Sequence, residues 1–144
     1  MKSISDTEIA AQLRTVLHRL VKVLRRQTRN EALLSLTERS TLGLLYPDKQ
    51  LPPSELAQVE KVTTQSMSQI INHLVELNYV HKAPSEEDKR KTLLSLTEVG
   101  KTYVEKGRQE KQEWLARAFE EKLDTGEREV LQQAIHILSK LLDE

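Results

Sequence analysis

Five uncharged hydrogen-bonding side chains share one side of a predicted helix near the middle of the chain. They stand at positions i, i+1, i+4, i+5 and i+8, and they are Thr64, Gln65, Ser68, Gln69 and Asn72. Amide side chains can form paired hydrogen bonds with adenine edges in the DNA major groove, and hydroxyls can bond to either donors or acceptors. No Lys or Arg occurs in residues 62–81. Taken alone, this amide–hydroxyl face fits contact with bases and an unremarkable polar surface equally well; a helix-turn-helix pattern around it would favour contact with bases.

A group of cations follows this helix in the sequence. Lys89, Arg90 and Lys91 are consecutive, and Lys82 precedes them. Asp88 lies two residues before Arg90, where its carboxylate can hold the guanidinium in a bidentate pair. An arginine oriented in this way suits a narrow minor groove, whose negative potential attracts it. The alternative is a solvated charged turn, since acidic residues 86–88 offset the positive charge.

The elements that position these residues form a helix-turn-helix pattern. Pro53 is well placed as the first residue of a helix that continues over residues 54–61. Thr63 can cap the next helix, residues 64–77, after a tight turn of about three residues. The apolar positions of that second helix fall on one stripe, which comprises Met67, Ile70, Ile71, Leu74 and Leu77.

A β-hairpin is predicted directly after the helix-turn-helix. Residues 79–82 are typical of a strand closed by Pro84, and residues 92–96 are typical of a second strand. The charged residues 85–91 form the tip between them. Upstream, Thr37 is expected to cap a short helix that ends near Pro47. This order of elements is that of a winged helix.

Helices at both ends of the chain complete the predicted fold. Asp6 or Thr7 is expected to cap an amphipathic first helix, and a long helix starts at Thr97. The long helix is entirely polar over residues 105–113 and breaks at residues 124–126, after which a last helix carries an apolar stripe. We expect a mainly α fold with a small β-hairpin wing (α+β). Its winged helix-turn-helix domain would span residues 33–114, and a helical dimerisation region would span residues 1–32 and 115–144.

Composition limits the possible functions. The 144 residues are 38% hydrophobic and 3% aromatic, which is lean, so we expect a second chain to complete part of the core. The absence of cysteine excludes disulfides and thiol chemistry. The sequence predicts neither a signal peptide nor a membrane span, which favours a cytoplasmic protein. Motifs for catalysis are absent too, so we expect no enzyme.

The wing sequence resembles that of the MarR family of bacterial transcription regulators. The matching residues are Asp88, Lys89 and Arg90, followed by the run Leu96-Thr97-Glu98-Val99-Gly100. Residues 53–57 and 62–74 resemble the family's third helix and recognition helix. Gln69 and His73 stand where the family often has Arg, and Asn78 stands where it usually has Gly.

The resemblance implies a homodimer that binds double-stranded DNA as a ligand-responsive repressor. Arg90 would enter the minor groove with Asp88 orienting it, and the face from Thr64 to His73 would enter the major groove. The implied DNA-binding residues are Thr63, Thr64, Gln65, Ser66, Ser68, Gln69, Asn72, His73, Lys82, Asp88, Lys89, Arg90 and Lys91.

The family resemblance also implies control by a small molecule. A small aromatic or lipophilic effector would occupy a pocket lined by Arg14, His18, Tyr46 and Trp114. The four histidines, His18, His73, His81 and His136, show no ligand-like spacing with carboxylates. We therefore expect no metal site and no cofactor.

One alternative function has support from the charges. Residues 51–97 contain five basic and six acidic side chains, and the whole chain has zero net charge. This balance predicts weak non-specific DNA binding. It also leaves open a helical protein-interaction module that keeps the winged-helix scaffold but has lost DNA binding. A ligand carrier or an enzyme is a third, less supported possibility.

Overall fold

The computed structural model describes residues 3–142, and within them the chain forms six helices and two strands. In chain order they are α1 (Asp6–Arg25), α2 (Leu36–Leu45), α3 (Pro53–Glu60), α4 (Thr64–Glu76), β1 (Val80–Pro84), β2 (Thr92–Leu96), α5 (Glu98–Lys122) and α6 (Thr125–Ser139). The mainly helical fold with a hairpin wing is thus confirmed. The chain divides into two compact units, Arg29–Arg108 and the described parts of Met1–Thr28 with Gln109–Glu144.

Two of the predicted helix caps are wrong. Ser5, and not Asp6 or Thr7, caps α1, and Ser35, and not Thr37, caps α2. Each serine accepts a hydrogen bond from the backbone N–H three residues on, and the glutamate at that position bonds back to the serine N–H. This capping box satisfies two helix-end donors at once, so it is favoured over a single cap. The Ser-x-x-Glu spacing in the sequence signals both boxes.

The core of the Arg29–Arg108 unit is aliphatic and lies beneath the helix-turn-helix. Its fully buried large apolar side chains come from α2, α3, α4 and β2, and they are Leu42, Leu45, Leu56, Met67, Leu74 and Leu94. Because α4 contributes its apolar stripe to this core, its opposite side must face outward. The core therefore fixes the orientation of the amide–hydroxyl face.

The wing is an antiparallel hairpin with a third backbone segment beside it. Val80 pairs with Leu96, and Pro84 pairs with Thr92. The strand therefore continues to Pro84, two residues beyond the predicted end. Leu51 and Leu94 exchange two backbone hydrogen bonds, of 3.0 and 2.8 Å. β2 thus pairs on both edges, which ties the wing to the segment that enters α3.

The unit formed by the terminal helices has no comparable core within one chain. None of the described residues of α1 or α6 is buried. Large apolar side chains lie exposed along both helices, and they include Ile9, Val16, Leu17, Leu20, Val21, Val130, Ile135 and Ile137. An apolar surface of this extent marks an interaction site.

Candidate nucleic-acid interface

The turn between α3 and α4 sets the start of the exposed helix. Lys61 adopts the left-handed conformation with φ 54°, and the Val62 N–H donates to the Ala57 carbonyl at 3.1 Å. Thr63 then caps α4, because its Oγ1 accepts from the Ser66 N–H at 3.0 Å. The predicted Thr63 cap and the Pro53 helix start are both confirmed.

All five side chains of the amide–hydroxyl face are exposed, but they differ in their hydrogen bonds. Ser68 Oγ donates to the Thr64 carbonyl at 3.0 Å, and Lys82 Nζ donates to Asn72 Oδ1 at 3.2 Å. Among the described residues, the side chains of Gln65 and Gln69 have no hydrogen bond within the chain. Their amide groups are therefore the ones available, without prior rearrangement, to bind another molecule.

Thr63 and Ser66 lie at the beginning of α4, where their side chains serve the helix start. Both are exposed, and Thr63 Oγ1 donates to Ser66 Oγ at 3.0 Å. Their hydroxyls already hold the cap together. We therefore separate them from the two glutamines as residues that position α4.

His73 is less exposed than the predicted interface residues that precede it, Thr63 to Asn72. Its side chain is 44% exposed, and its Nδ1 contacts Oε2 of Glu38, a side chain only 11% exposed. The sequence interpretation missed Glu38, because 35 residues separate the two side chains. Packing of α2 against α4 brings them together.

The pKa of Glu38 reflects this site. Burial of the carboxyl raises its pKa, but the backbone hydrogen bond from Ser35 and the hydrogen bond and charge of His73 together outweigh burial. The net result is a pKa below the ordinary value of 4.5. Glu38 is therefore stabilised as a carboxylate in the folded protein.

Replacing Glu38 with Gln is expected to remove an acid-sensitive part of the stability. A lowered pKa in the folded state means that ionised Glu38 stabilises the fold above the ordinary pKa, and this contribution is lost as pH falls through the lowered value. We expect Glu38→Gln to cost about 1 kcal/mol at neutral pH and little at pH about 3. Urea unfolding of both proteins across this pH range measures the difference, and a constant difference would contradict the assignment.

The wing tip presents one oriented arginine. Arg90 Nε donates to Asp88 Oδ1 at 3.2 Å, and Nη2 donates to Oδ2 at 3.5 Å. The Arg90 side chain nevertheless remains 92% exposed. Asp88 also accepts from the Arg90 backbone N–H at 3.1 Å, so the carboxylate fixes both ends of the residue. The structure thus contains the ion pair expected from the spacing, and it leaves the guanidinium at the surface.

The other cations of the wing surround this pair. Lys89 and Lys91 are exposed at the tip, and Lys82 is exposed on β1. The Lys91 N–H donates to the Asp88 carbonyl at 2.9 Å, which closes the turn. Through its bond to Asn72, Lys82 joins the first strand of the wing to α4. Helix face and wing therefore belong to one continuous surface of the Arg29–Arg108 unit.

The base of the wing is fastened to the start of α5. Thr97 Oγ1 donates to the Asn78 carbonyl at 2.6 Å and accepts from the Gly100 N–H at 3.0 Å. Asn78 adopts φ 62°, the left-handed conformation that asparagine tolerates. The Leu-Thr-x-x-Gly run thus holds the end of α4, the wing and α5 in register.

The four predicted effector residues are distributed over both units: Arg14, His18 and Trp114 lie in the unit of the terminal helices, and Tyr46 lies in the Arg29–Arg108 unit. Trp114 lines a cavity of about 260 Å³ with Val16, Arg19, Leu20 and Val23, and neither Arg14 nor His18 lines it. Both of these side chains are exposed.

Tyr46 has contacts of its own within the Arg29–Arg108 unit. Its hydroxyl bonds to Glu105 Oε1 at 3.1 Å, and the Arg108 guanidinium lies 4.1 Å from its ring centroid. Burial and the Glu105 hydrogen bond raise the pKa of Tyr46.

Two other kinds of feature are absent from residues 3–142. These residues contain no group of three or more potential ligands that could hold a metal ion. Nor is any of their helices long and apolar enough to cross a membrane.

Known proteins resemble this chain over almost its full length. An uncharacterized HTH-type transcriptional regulator of Mycobacterium bovis is 33% identical over 140 residues, 97% of this chain and 96% of that protein. A transcriptional regulator structure from Pseudomonas aeruginosa superimposes with a TM-score of 0.82 at 25% identity, covering 99% of both chains. A MepR mutant of Staphylococcus aureus bound to an oligodeoxyribonucleotide shares the fold, with a TM-score of 0.68 at 17% identity over 98% of this chain and all of that one.

The family model agrees with the position of the helix-turn-helix and wing. The model of the MarR family matches residues 34–91, a range that holds α2, α3, α4, β1 and the wing tip. Together with the full-length relative, this match shows that the chain belongs to the MarR family of HTH-type transcriptional regulators.

Proposed function

We propose that this regulator acts as a homodimeric repressor on a pseudo-palindromic operator in double-stranded DNA. One observation carries the proposal: the exposed amide–hydroxyl face and the exposed, carboxylate-held Arg90 occupy one surface of the same unit. A helix of this kind suits the major groove, and an oriented arginine suits the adjacent minor groove. With DNA as its target, we expect the protein in the cytoplasm.

Base recognition is assigned chiefly to Gln65 and Gln69. Both amides are exposed and have no hydrogen bond within the described residues, so each can offer a donor and an acceptor to one adenine. Thr64, Ser68 and Asn72 flank them on the same face. This set can distinguish bases although it carries no charge.

Charge for phosphate contact comes mainly from the wing. Lys82, Lys89 and Lys91 can bind the backbone while Arg90 occupies the minor groove. Because only a few cations are offered per subunit, we expect affinity to depend on both subunits binding together. The dependence of DNA affinity on salt concentration should therefore be modest for one subunit and about twice as steep for the dimer.

A second copy of this chain is the proposed occupant of the exposed apolar surface on α1 and α6, apart from Val16 and Leu20, which line the cavity beside Trp114. The terminal helices bury no residue within one chain, although their stripes are long and apolar. Pairing of two copies would bury these stripes and set two winged domains on one duplex. Half-sites about one helical turn apart would follow.

Replacing Ile135 with Glu is expected to dissociate the dimer without unfolding the chain. Ile135 on α6 is 56% exposed in the single chain, so a charge there costs little until a partner covers it. Loss of two buried isoleucines would cost the dimer about 3–6 kcal/mol. Sedimentation velocity measures the effect. Gln133→Glu adds the same charge at an exposed polar position and serves as the control; equal dimerisation of both variants would contradict this interface.

An effector site is proposed at the cavity beside Trp114. Its apolar lining and single Arg19 suit a small aromatic or lipophilic molecule. Because Trp114 is the only tryptophan, its fluorescence reports occupancy directly. A small molecule that quenches Trp114 fluorescence saturably and also releases DNA would support ligand-responsive repression. A molecule that quenches the fluorescence without releasing DNA would show that the cavity does not control DNA binding.

Binding to genomic fragments at several salt concentrations tests the DNA assignment against the interaction-module alternative. A regulator should retard specific fragments, with affinity falling steeply as salt rises. Gln69→Ala should lose discrimination among fragments while non-specific binding is largely retained. Absence of salt-dependent duplex binding would favour an interaction module that has lost DNA binding.

A further inference from the structure

The carboxylate of Glu38 is fixed at both oxygens beneath the end of α4. Oε1 accepts from the Ser35 N–H at 3.0 Å, and Oε2 contacts Nδ1 of His73. The Glu38 side chain is largely buried, whereas the His73 ring is half exposed. A buried acid thus holds one edge of a ring whose remainder faces outward.

This contact determines which nitrogen of His73 carries a proton. A carboxylate only accepts hydrogen bonds, so Nδ1 must be the donor. Within the described residues, Glu38 is the only hydrogen-bonding partner of the His73 side chain. Nε2 is therefore left as an acceptor in the neutral ring and becomes a donor when the ring is protonated.

His73 also lies at a position on α4 that suits contact with the DNA sugar–phosphate backbone. It lies one turn beyond Gln69, in the last turn of α4. In helix-turn-helix proteins the N-terminal part of the recognition helix contacts base edges, so the last turn lies towards the sugar–phosphate backbone. Lys82 bonds to the neighbouring Asn72 at 3.2 Å, which adds a cation beside the same position.

We propose that Glu38 is a positioning residue of the DNA interface, which holds His73 so that its protonated Nε2–H donates to a DNA phosphate. DNA affinity would then fall as pH rises and the His73 ring loses this proton. This inference rests on the proposed DNA-binding function and adds a regulatory variable to it.

Two groups place negative charge beside His73. Glu38 approaches from α2, and the carbonyl end of α4 favours a cation at this turn. The other titratable or charged groups on α4 and on the elements packed against it are Arg39 on α2, Glu55 and Glu60 on α3, His81 and Lys82 on β1, and Glu76 on α4 itself. Glu60 bonds to Ser40 Oγ, so its carboxylate already has a partner away from His73. Burial raises the pKa of Glu38, but the Ser35 and His73 hydrogen bonds outweigh burial and lower it. The acid is therefore ionised.

Fluorescence anisotropy with a duplex selected by the wild-type protein tests the proposal. Kd is measured between about pH 5.5 and 8.5 at fixed ionic strength. We expect wild-type affinity to fall about tenfold per subunit over this range, the effect of losing one charged hydrogen bond. His73→Gln should bind with a flat pH profile, and His73→Arg should bind tightly with a flat profile.

Glu38→Gln separates positioning from folding. Glutamine is also a capping-box residue at this helix position, and its oxygen can still accept from Nδ1, so the ring stays in place without the negative charge. The pH at which affinity falls should move to a lower value, with weaker binding at neutral pH. His81→Gln removes the exposed histidine of β1 and should leave the wild-type profile unchanged.

The outcomes distinguish this inference from the function on which it rests. Three results would overturn the role given to Glu38: His73→Gln keeps the wild-type pH profile, His81→Gln loses it, or Glu38→Gln leaves it unaltered. None of these results would contradict the DNA-binding function. Failure of every protein to bind duplex DNA at any pH would overturn both.

Discussion

Replacing Arg90 with Ala is expected to weaken binding of the selected duplex by about 100-fold or more per dimer, since each of two subunits loses a charge-assisted contact of about 1.5–3 kcal/mol. Stability should not change, because the Arg90 side chain is 92% exposed and its only ion pair within residues 3–142 is with the nearby Asp88. Anisotropy measures the affinity, and thermal unfolding checks the fold.

Two further variants separate orientation from charge at the wing tip. Lys89→Ala removes an equal charge from an exposed neighbour that Asp88 does not hold, and it should cost several-fold less affinity than Arg90→Ala. Asp88→Asn retains the guanidinium but loses the charged partner that orients it, so an intermediate loss is expected. Equal affinities for wild type and Arg90→Ala would show that the wing does not contribute.

Replacing Gly100 with Ala is expected to destabilise the Arg29–Arg108 unit by about 3 kcal/mol or more, at the upper end of overpacking costs. A Cβ at this position would lie 2.1 Å from the Tyr79 carbonyl oxygen and 2.9 Å from its carbon. Both are backbone atoms, and Thr97 fixes them because its N–H donates to the same Tyr79 carbonyl at 3.1 Å. The clash can be relieved only by separating α5 from the base of the wing.

Gly43→Ala is the matched control. Gly43 lies within α2, and a Cβ there meets no atom within 4 Å. Alanine should therefore stabilise the helix by up to about 1 kcal/mol. Denaturant unfolding should therefore show a lower free energy of unfolding for Gly100→Ala and a higher one for Gly43→Ala than for the wild type. If Gly100→Ala unfolds at the wild-type midpoint, the close approach of α5 to Tyr79 is not a constraint in solution.

Local signals in the sequence predicted most of the winged domain. Pro53, the Thr63 cap and the apolar stripe of α4 act within a few residues, so their spacing alone determines the helix bounds and the exposed side. The Asp88–Arg90 pair is equally local, since two residues separate its members. The caps of α1 and α2 are local features as well, since each Ser-x-x-Glu box spans only four residues. Their positions differ from the predicted ones because a capping box outweighs a single capping side chain.

Contacts between distant residues could not be predicted in the same way. The Glu38–His73 contact depends on how α2 packs against α4, and the Leu51–Leu94 pairing depends on how the segment before α3 lies beside β2. No periodicity in the sequence encodes either arrangement. The sequence therefore predicts His73 to be part of the exposed face, whereas in the structure its ring is only partly exposed and contacts Glu38. The contacts of Tyr46 with Glu105 and Arg108 are of the same long-range kind, and the sequence did not predict them.

The central claim is that two copies of this chain recognise DNA sequence with the α4 face and the wing. Selection of bound duplexes from a random library by the purified protein tests it most directly. We predict enrichment of an inverted repeat whose half-sites are centred about 10 base pairs apart, with Gln69→Ala altering the preferred bases and Arg90→Ala reducing recovery. A selection that enriches no sequence, or one whose motif is unchanged by Gln69→Ala, would contradict this account.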